Sequence, residues 1–298
     1  MARGLKPFEF IEPKSVKEAV STLSRWGSRA RLLAGGVTLV DDMRRRVVTP
    51  GCVVSIQNIP GIDCIKGDGK SGLKIGAMAS LRAVELSPVV QRDYLPLYEG
   101  IHHIHSLQTK YMGTVVGNLC VASPASDIAV PLVALGAEVK VKGVGRTRSM
   151  PVEKFLLGVN RIALKRGEMV TELTIPAPAK GTGGAFLRLA RTAADVAKLN
   201  VAVVMTVSGN VCRDIRIALG AVAPIPIRAR KAEAALNGQK LDPEILSQVT
   251  EVASQEARPI SDFRSTAEYR TEMIGLLVRR GLETALERAR GSSRRKVT

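Results

Sequence analysis

The chain lacks clustered cysteines, long apolar runs and aromatic side chains, and each lack narrows what it can do. Its four cysteines, Cys52, Cys64, Cys120 and Cys212, form no C-x-x-C pair. Neither a zinc ribbon nor an iron-sulfur cluster is therefore indicated within the chain, and separate reduced thiols are expected. The three histidines, His102, His103 and His105, lie together but have no acidic or cysteine partner at ligand spacing. A helix surface accounts for them better than a metal site, so no metal is expected. No run of about eighteen apolar residues occurs, so no membrane span is expected. The opening MARGLKPFEF lacks the apolar core and cleavage site of a secretory signal, and a cytoplasmic location is expected. Aromatic residues make up 3%, too few for the stacking platforms that single-stranded nucleic acid requires. Acidic residues are outnumbered 27 to 44, giving a net charge of +17. Charge alone fits nucleic acid, an acidic partner or a generally basic proteome. Because the basic residues are dispersed, crowding only at Arg44-Arg46 and in the tail Arg288 to Lys296, no nucleic-acid partner is expected.

What is present is an apolar content of 45% in 298 residues, enough for two domains and a sizeable core. The densest information lies between Leu107 and Val139. In Gly113-Thr114-Val115-Val116-Gly117-Asn118 the glycines allow close backbone approach, while Thr114 and Asn118 add polar side chains. Ser123-Pro124-Ala125-Ser126-Asp127 then leads into an apolar helix, Ile128 to Leu135, with Gly136 where a left-handed residue would end it. The stretch reads either as a tight turn before a buried helix or as a phosphate cradle beside a helix N-terminus. A second glycine turn, Ala34-Gly35-Gly36-Val37-Thr38, sits between a strand, Arg31 to Leu33, and a helix, Leu39 to Arg45, and carries the same two readings.

The rest of the chain supplies the frame. Phe8 to Ile11 reads as a strand, and Ser15-x-x-Glu18 is a capping box ahead of a helix burying Val16, Ala19, Val20 and Leu23. Val53 to Ile56 is a further strand. Gly67 to Gly72 matches G-x-G-x-x-G, but a strand, Leu73 to Ile75, follows where a dinucleotide fold needs a helix, so it reads as a hairpin loop. Glu138 to Lys142 and Glu168 to Pro176 read as strands, and residues 177–184 as a Pro- and Gly-rich linker. Beyond it come three antiparallel strands (Ala185 to Leu189, Val201 to Ser208, Ile215 to Ala221) and three helices (Ile227 to Leu236, Pro243 to Ala257, Thr266 to Ala289).

These motifs, in this order, resemble the flavoprotein (medium) subunit of the xanthine dehydrogenase and carbon monoxide dehydrogenase family, the molybdenum hydroxylases. LLAGGVTLVDDMRRR resembles its first flavin motif, GTVVGN followed by ASPASDIAVPLVALGAEV its second, and Arg146 to Phe155 a further segment. The stretches 191–200, 216–226 and 261–270 resemble its C-terminal domain, so the likeness covers nearly the whole chain. It implies an α+β fold with a PCMH-type FAD-binding domain at 1–176, in two lobes of about 1–58 and 59–176. A smaller domain of a three-stranded antiparallel sheet with helices would follow at 185–290, and a basic tail at 291–298. The cofactor implied is FAD, with Leu33, Ala34, Gly35, Gly36, Val37, Thr38 and Leu39 on one side of its pyrophosphate. Gly113, Thr114, Val115, Gly117, Asn118 and Ser123 would flank the other side. Asp127 would accept from ribityl or ribose hydroxyls, for which an ionised carboxylate is suited, although a charge at a helix N-terminus explains it too. Asp195 and Val196 would lie in a segment over the isoalloxazine, with no aromatic stack from position 196, and Val170 would be a further cofactor contact.

In this family a large molybdopterin subunit oxidises the substrate and a small 2Fe-2S subunit relays electrons to FAD, which delivers them to an external acceptor. The chain would be the exit port of a dimer of heterotrimers, with no catalytic residue of its own. It departs from the family pattern at Val37, often Gln, His or Asn, and at Lys110, Tyr111 and Val116, usually Arg, Asn and Gly. A β-branched Val116 would strain the loop if that position needed a positive φ. A side chain at Gly35 or Gly117 is expected to block the pyrophosphate without unfolding either lobe. The competing readings are a stand-alone flavin oxidoreductase, which needs acid or base residues near the flavin, and a basic nucleic-acid-binding protein, motivated by charge alone.

Overall fold

A computed structural model describes residues 4–68 and 70–291. Gly69 of the hairpin loop and all but Gly291 of the expected basic tail lie outside the described residues. The first lobe runs β1 (Glu9–Ile11), α1 (Val16–Trp26), β2 (Ala30–Leu33), α2 (Val37–Arg44) and β3 (Cys52–Ser55). Its three strands form a parallel sheet in the order β1-β3-β2. All four residues of the central strand are buried, as a parallel strand covered on both faces requires. Ser15 caps α1 by accepting from Glu18 N at 3.2 Å. The Glu18 carboxylate reaches one residue further back than a capping box predicts and accepts from Lys14 N at 2.8 Å.

The second lobe opens with the hairpin β4 (Ile65–Gly67) and β5 (Leu73–Gly76), which confirms that G-x-G-x-x-G is a loop between antiparallel strands. Six short helices follow: α3 (Leu81–Glu85), α4 (Pro88–Asp93), α5 (Leu95–His102), α6 (Leu107–Met112), α7 (Val115–Val121) and α8 (Ala129–Ala134). Then come β6 (Glu138–Gly143), β7 (Arg146–Pro151), α9 (Val152–Phe155), the small hairpin β8 (Leu156–Gly158) and β9 (Arg161–Ile162), and β10 (Met169–Ile175). The late strand β10 inserts at the centre of an antiparallel sheet of order β4-β5-β10-β6-β7. Gly136, at φ +67°, ends the α8 region as expected.

The C-terminal portion holds β11 (Thr182–Leu189), β12 (Leu199–Ser208), β13 (Val211–Gly220), β14 (Ile227–Arg228), α10 (Arg230–Leu236), α11 (Pro243–Glu256) and α12 (Ala267–Ala289). Its three long strands pair antiparallel, and the two-residue β14 adds to their edge. Ile227 and Arg228 were expected to open a helix. Pro226 biases the chain toward extended backbone before them, and Ala229 N donates to Ile217 O at 2.9 Å, so pairing wins until Arg230. The stretch expected as linker is partly strand, because β11 takes Thr182, Gly183 and Gly184. A Cβ on Gly183 would lie 2.1 Å from Ala285 O of α12, and one on Gly184 would lie 2.6 Å from Pro96 Cγ of α5. The glycines there serve close packing between two elements rather than flexibility. Phe186, Ala202 and Ala218 of this sheet join the larger hydrophobic core of the first 176 residues, while a second core lies between the sheet and α10 to α12. Among the described residues no helix is long and apolar enough to cross a membrane.

Candidate functional site

The two glycine segments, about 80 residues apart in sequence, meet. Strand β2 ends at Leu33, and a three-residue turn, Ala34-Gly35-Gly36, delivers the chain into α2. Gly36 is the N-cap at φ +76°, a conformation that excludes most side chains, and no side chain caps the helix. The N–H groups of the first turn of α2 are thereby left for water or an anion, at the positive end of the helix dipole. Val37, Thr38 and Leu39, expected partly in the turn, are the first turn of this helix, since Gly36 in the left-handed region already lets it begin. Val37 is 40% exposed, which fits a position where a larger polar residue could stand. From the neighbouring strand end, Gln57 Nε2 donates to Ala34 O at 2.8 Å and fixes the turn.

The second segment is also built differently from its sequence reading. Gly113 is extended (φ −69°, ψ 144°), and Thr114 is the N-cap of α7, accepting from Gly117 N at 2.9 Å. Val115 to Asn118 is thus a helical first turn rather than a glycine loop, because a Thr in the β region with a free N–H three residues on is a helix start. Val116 is helical, 5% exposed and absent from the positive-φ residues, so the strain expected from its β-branch does not arise. Leu81 N donates to Gly113 O at 2.8 Å, Val115 N donates to Ala79 O at 3.2 Å, and Ser80 bridges Thr114, which anchors the segment on the loop before α3.

A Cβ on Gly35 would sit 1.8 Å from Met112 O and 2.7 Å from Met112 C, so the first turn lies directly on the last residue of α6. Across the same contact, a Cβ on Gly113 would lie 3.7 Å from Val37 Cγ2. The start of α2 and the segment that starts α7 therefore line one seam. Gly117 faces differently: beyond Thr114, whose Oγ1 would be 2.7 Å from an added Cβ, nothing crowds it. This corrects one expectation. A side chain at Gly35 would collide with backbone, so it cannot merely block a ligand, whereas one at Gly117 could.

The polar contacts continue away from the seam. Ser126 Oγ donates to Asn118 Oδ1 at 2.9 Å and accepts from Ile128 N and Ala129 N, capping the α8 region and tying it to α7. Ser123 is half-buried, and its carbonyl accepts from Ser126 N at 3.2 Å. Asp127 turns toward the C-terminal sheet, where Oδ1 accepts from Asn200 Nδ2 at 2.7 Å and Oδ2 lies 3.6 Å from Arg188 Nε. Burial pushes the Asp127 carboxyl up, against the pull of Arg188 and Asn200. Arg188 Nη1 also donates to the carbonyls of His103 and Ala193, and Nη2 to that of Asp195. Asp195 accepts from Arg191 Nε at 2.6 Å, and that bond holds its carboxyl below the usual range. Val115 and Val170 are both buried, at 0% and 4% exposure, so their side chains belong to the core.

Sequence reasoning missed Arg188, Asn200 and Gln57. Asn200 closes the 191–200 motif and was open to discovery. An arginine in a strand and a glutamine after one carry no local signal. Burial, reinforced by Arg188, drops His103 to about 4, and its ring packs at 6.0 Å from that of Phe186. Among the described residues no group of His, Cys, Asp and Glu could hold a metal. A cleft of about 420 Å³, lined by Arg92, Pro96, Ala179, Thr206 and Arg216 among others, contains none of the seam residues.

What suits the seam to a diphosphate is a pair of neighbouring helix starts, that of α2 with no side-chain cap and that of α7 beside it. The profile of the FAD binding domain in molybdopterin dehydrogenase matches residues 6–178, and that of the CO dehydrogenase flavoprotein C-terminal domain matches residues 184–285. The carbon monoxide dehydrogenase medium chain of Hydrogenophaga pseudoflava is 36% identical over 94% of this chain and 98% of its own length. The glyceraldehyde dehydrogenase medium chain of Sulfolobus acidocaldarius is 28% identical over 91% and 95%. Among solved structures, carbon monoxide dehydrogenase from Hydrogenophaga pseudoflava superposes with a TM-score of 0.91 at 36% identity, covering 96% of this chain and 99% of that one. Quinoline 2-oxidoreductase from Pseudomonas putida 86 gives 0.89 at 26% identity, covering 96% and 99%. With both halves matched in order and nearly the full length covered, the chain belongs to the FAD-binding medium subunits of the molybdenum hydroxylases, the family of carbon monoxide and xanthine dehydrogenases.

Proposed function

We propose that this subunit holds FAD with its pyrophosphate in the seam between Ala34-Gly35-Gly36 and Gly113-Thr114. Val37 to Leu39 would supply backbone N–H groups from the start of α2 and Val116 one from the start of α7, where the N–H groups of Val115, Gly117 and Asn118 are already bonded to Ala79 O, Thr114 Oγ1 and Thr114 O. The observation that supports the reading is the contact of Gly35 with Met112 and Gly113, which brings the two distant motifs side by side. Asn118, Ser123 and Asp127 would orient the ribityl and ribose hydroxyls, with Asn200 and Arg188 holding the Asp127 carboxylate in place. The segment carrying Asp195, fixed by Arg188, would close over the isoalloxazine from the C-terminal domain. Val170 would back it from the core, and position 196, a valine 48% exposed, offers no aromatic stack.

FAD accepts electrons singly and passes them on as a pair, so the protein's part is binding, orientation and exclusion of water. In the assembly we propose, a cytoplasmic dimer of heterotrimers, a small 2Fe-2S subunit feeds electrons to this chain from a large molybdopterin subunit. An external acceptor collects them. The division into a flavin domain at 1–176 and a smaller domain at 185–290 is part of the same reading.

The test is reconstitution. The chain produced with its partner subunits should carry flavin absorbance near one FAD per chain. Added FAD should raise its thermal midpoint, since a ligand that binds only the folded state stabilises it by mass action. An assembled complex with neither flavin absorbance nor stabilisation by FAD would refute the assignment.

A further inference from the structure

Glu85 and Lys110 form an ion pair that no flavin contact uses. Both are almost completely buried, at 3% and 5% exposure, with Lys110 Nζ donating to Glu85 Oε1 at 2.7 Å. The same carboxylate accepts from Arg82 Nη1 at 2.8 Å and contacts His102 Nδ1 at 3.1 Å, while Lys110 donates a second bond to His102 O at 3.3 Å. Burial pushes the Glu85 carboxyl up, but the bonds from Lys110 and Arg82 outweigh it and leave it below the usual range. A buried pair of this kind adds little stability over two apolar side chains of similar volume, because removing two charges from water offsets their attraction. It does add direction, because it holds two elements in a single relative orientation.

The elements it joins are the ones that carry the seam. Lys110 lies on α6, a helix of six residues that is too short to hold itself. Its last residue, Met112, packs against Gly35, and the next, Gly113, accepts from Leu81 N at the start of α3. Glu85 closes α3. The two ends of α3 are thus fastened to the last turn of α6 and the residue after it, the start by the Leu81-Gly113 bond and the end by the ion pair. Rotation of α6 would move the Met112 carbonyl against Gly35 and shift Thr114, the cap of α7.

We propose that Glu85 and Lys110 are positioning residues for the diphosphate seam: they set the rotation of α6 at which Met112 packs on Gly35 and Thr114 starts α7. The proposal rests on the FAD reading for its ligand, but it makes a claim about backbone order that stands without one. Lysine at position 110 is then no lost flavin contact, because its buried ammonium is bonded to Glu85 and the His102 carbonyl.

The experiment uses the full-length chain in three forms: wild type, Lys110→Arg, and the double variant Glu85→Leu with Lys110→Met. Thermal midpoint without FAD, FAD affinity from flavin fluorescence, and amide exchange over 113–118 are measured on each. The double variant should keep its midpoint within a few degrees of wild type, yet bind FAD about tenfold more weakly, with faster exchange over 113–118. Lys110→Arg, which keeps a cation for Glu85, should match wild type in both readouts. Wild-type affinity and protection in the double variant would overturn the proposal, and so would a Lys110→Arg loss as large as that of the double variant. Should the double variant not fold, Glu85→Gln carries the same readouts with a loss of roughly threefold, and an unchanged affinity there is equally fatal. If wild type itself takes up no FAD, the cofactor reading fails, and exchange over 113–118 alone decides whether the pair positions the segment.

Discussion

Gly36 starts α2 at φ +76° with no side chain to cap it, whereas Gly113 leads into α7 from an extended backbone with Thr114 as the cap. In the first segment glycine is required by the protein itself: Gly36 by its conformation, and Gly35 by the Met112 carbonyl lying where a Cβ would be. In the second, Gly117 has no backbone neighbour that a Cβ would strike, and its φ is helical. Two motifs that look alike as sequence thus carry their glycines for different reasons. The fold demands the glycines of the first segment, and Gly113 too, whose Cβ would lie 2.7 Å from Thr109 O, whereas at Gly117 only the Thr114 side chain stands in the way.

That difference can be broken most forcefully at Gly35. Gly35→Val forces a branched side chain into the backbone of Met112 and should cost about 3 to 5 kcal/mol, at the large end for a single substitution. Thermal midpoint and FAD content should fall together; a variant that loses FAD at an unchanged midpoint would show that the first turn is open after all. Thr114→Ala removes the cap that accepts from Gly117 N and should cost about 1 kcal/mol, with a loss of FAD affinity that Thr114→Ser largely restores. Denaturant midpoints and flavin titration read the two effects separately, and an alanine variant equal to wild type in both would remove Thr114 from the account.

The smallest effect is a pH dependence that only the second segment should show, through Asp127. Its carboxyl is pushed up by burial, so the folded state favours the protonated form. A folded value above the unfolded one contributes stability that is complete below the ordinary carboxylate range and is lost as pH rises through the raised folded value. The difference in midpoint between wild type and Asp127→Asn should therefore drift against wild type from acid toward neutral pH. A difference that is constant with pH, or that drifts the other way, would contradict the burial argument.

Much of this is legible in the sequence. The hairpin at Gly67 to Gly72 followed from the strand after it, and α1 from Ser15, which accepts from Glu18 N at 3.2 Å, and the helical spacing of Val16, Ala19, Val20 and Leu23. Other features were not, because they depend on partners distant in sequence. Nothing local says that Gly35 will lie on Met112, that Lys110 will turn inward to Glu85, or that Asp127 will meet Arg188 and Asn200 across the two portions of the chain. The start of α7 was misread because a glycine pair suggested a loop, while the decisive residue was Thr114, a helix cap three residues before the second glycine. Residues 182–184 were misread for a related reason: glycine chosen for close packing against α12 and α5 has the same composition as glycine chosen for flexibility.

The central claim is that Gly117 is a glycine for the sake of a bound diphosphate, and Gly117→Ala tests it most directly. Alanine in a helical turn gains roughly 1 kcal/mol over glycine, which offsets the crowding of Thr114 Oγ1, so the folded chain should keep its thermal midpoint without FAD. Titrated with FAD in parallel with wild type and Thr114→Ala, the variant should bind at least about tenfold more weakly than wild type and more weakly than Thr114→Ala, because under the proposed reading the added Cβ would stand where the pyrophosphate approaches. Wild-type FAD affinity in a folded Gly117→Ala chain would contradict the account.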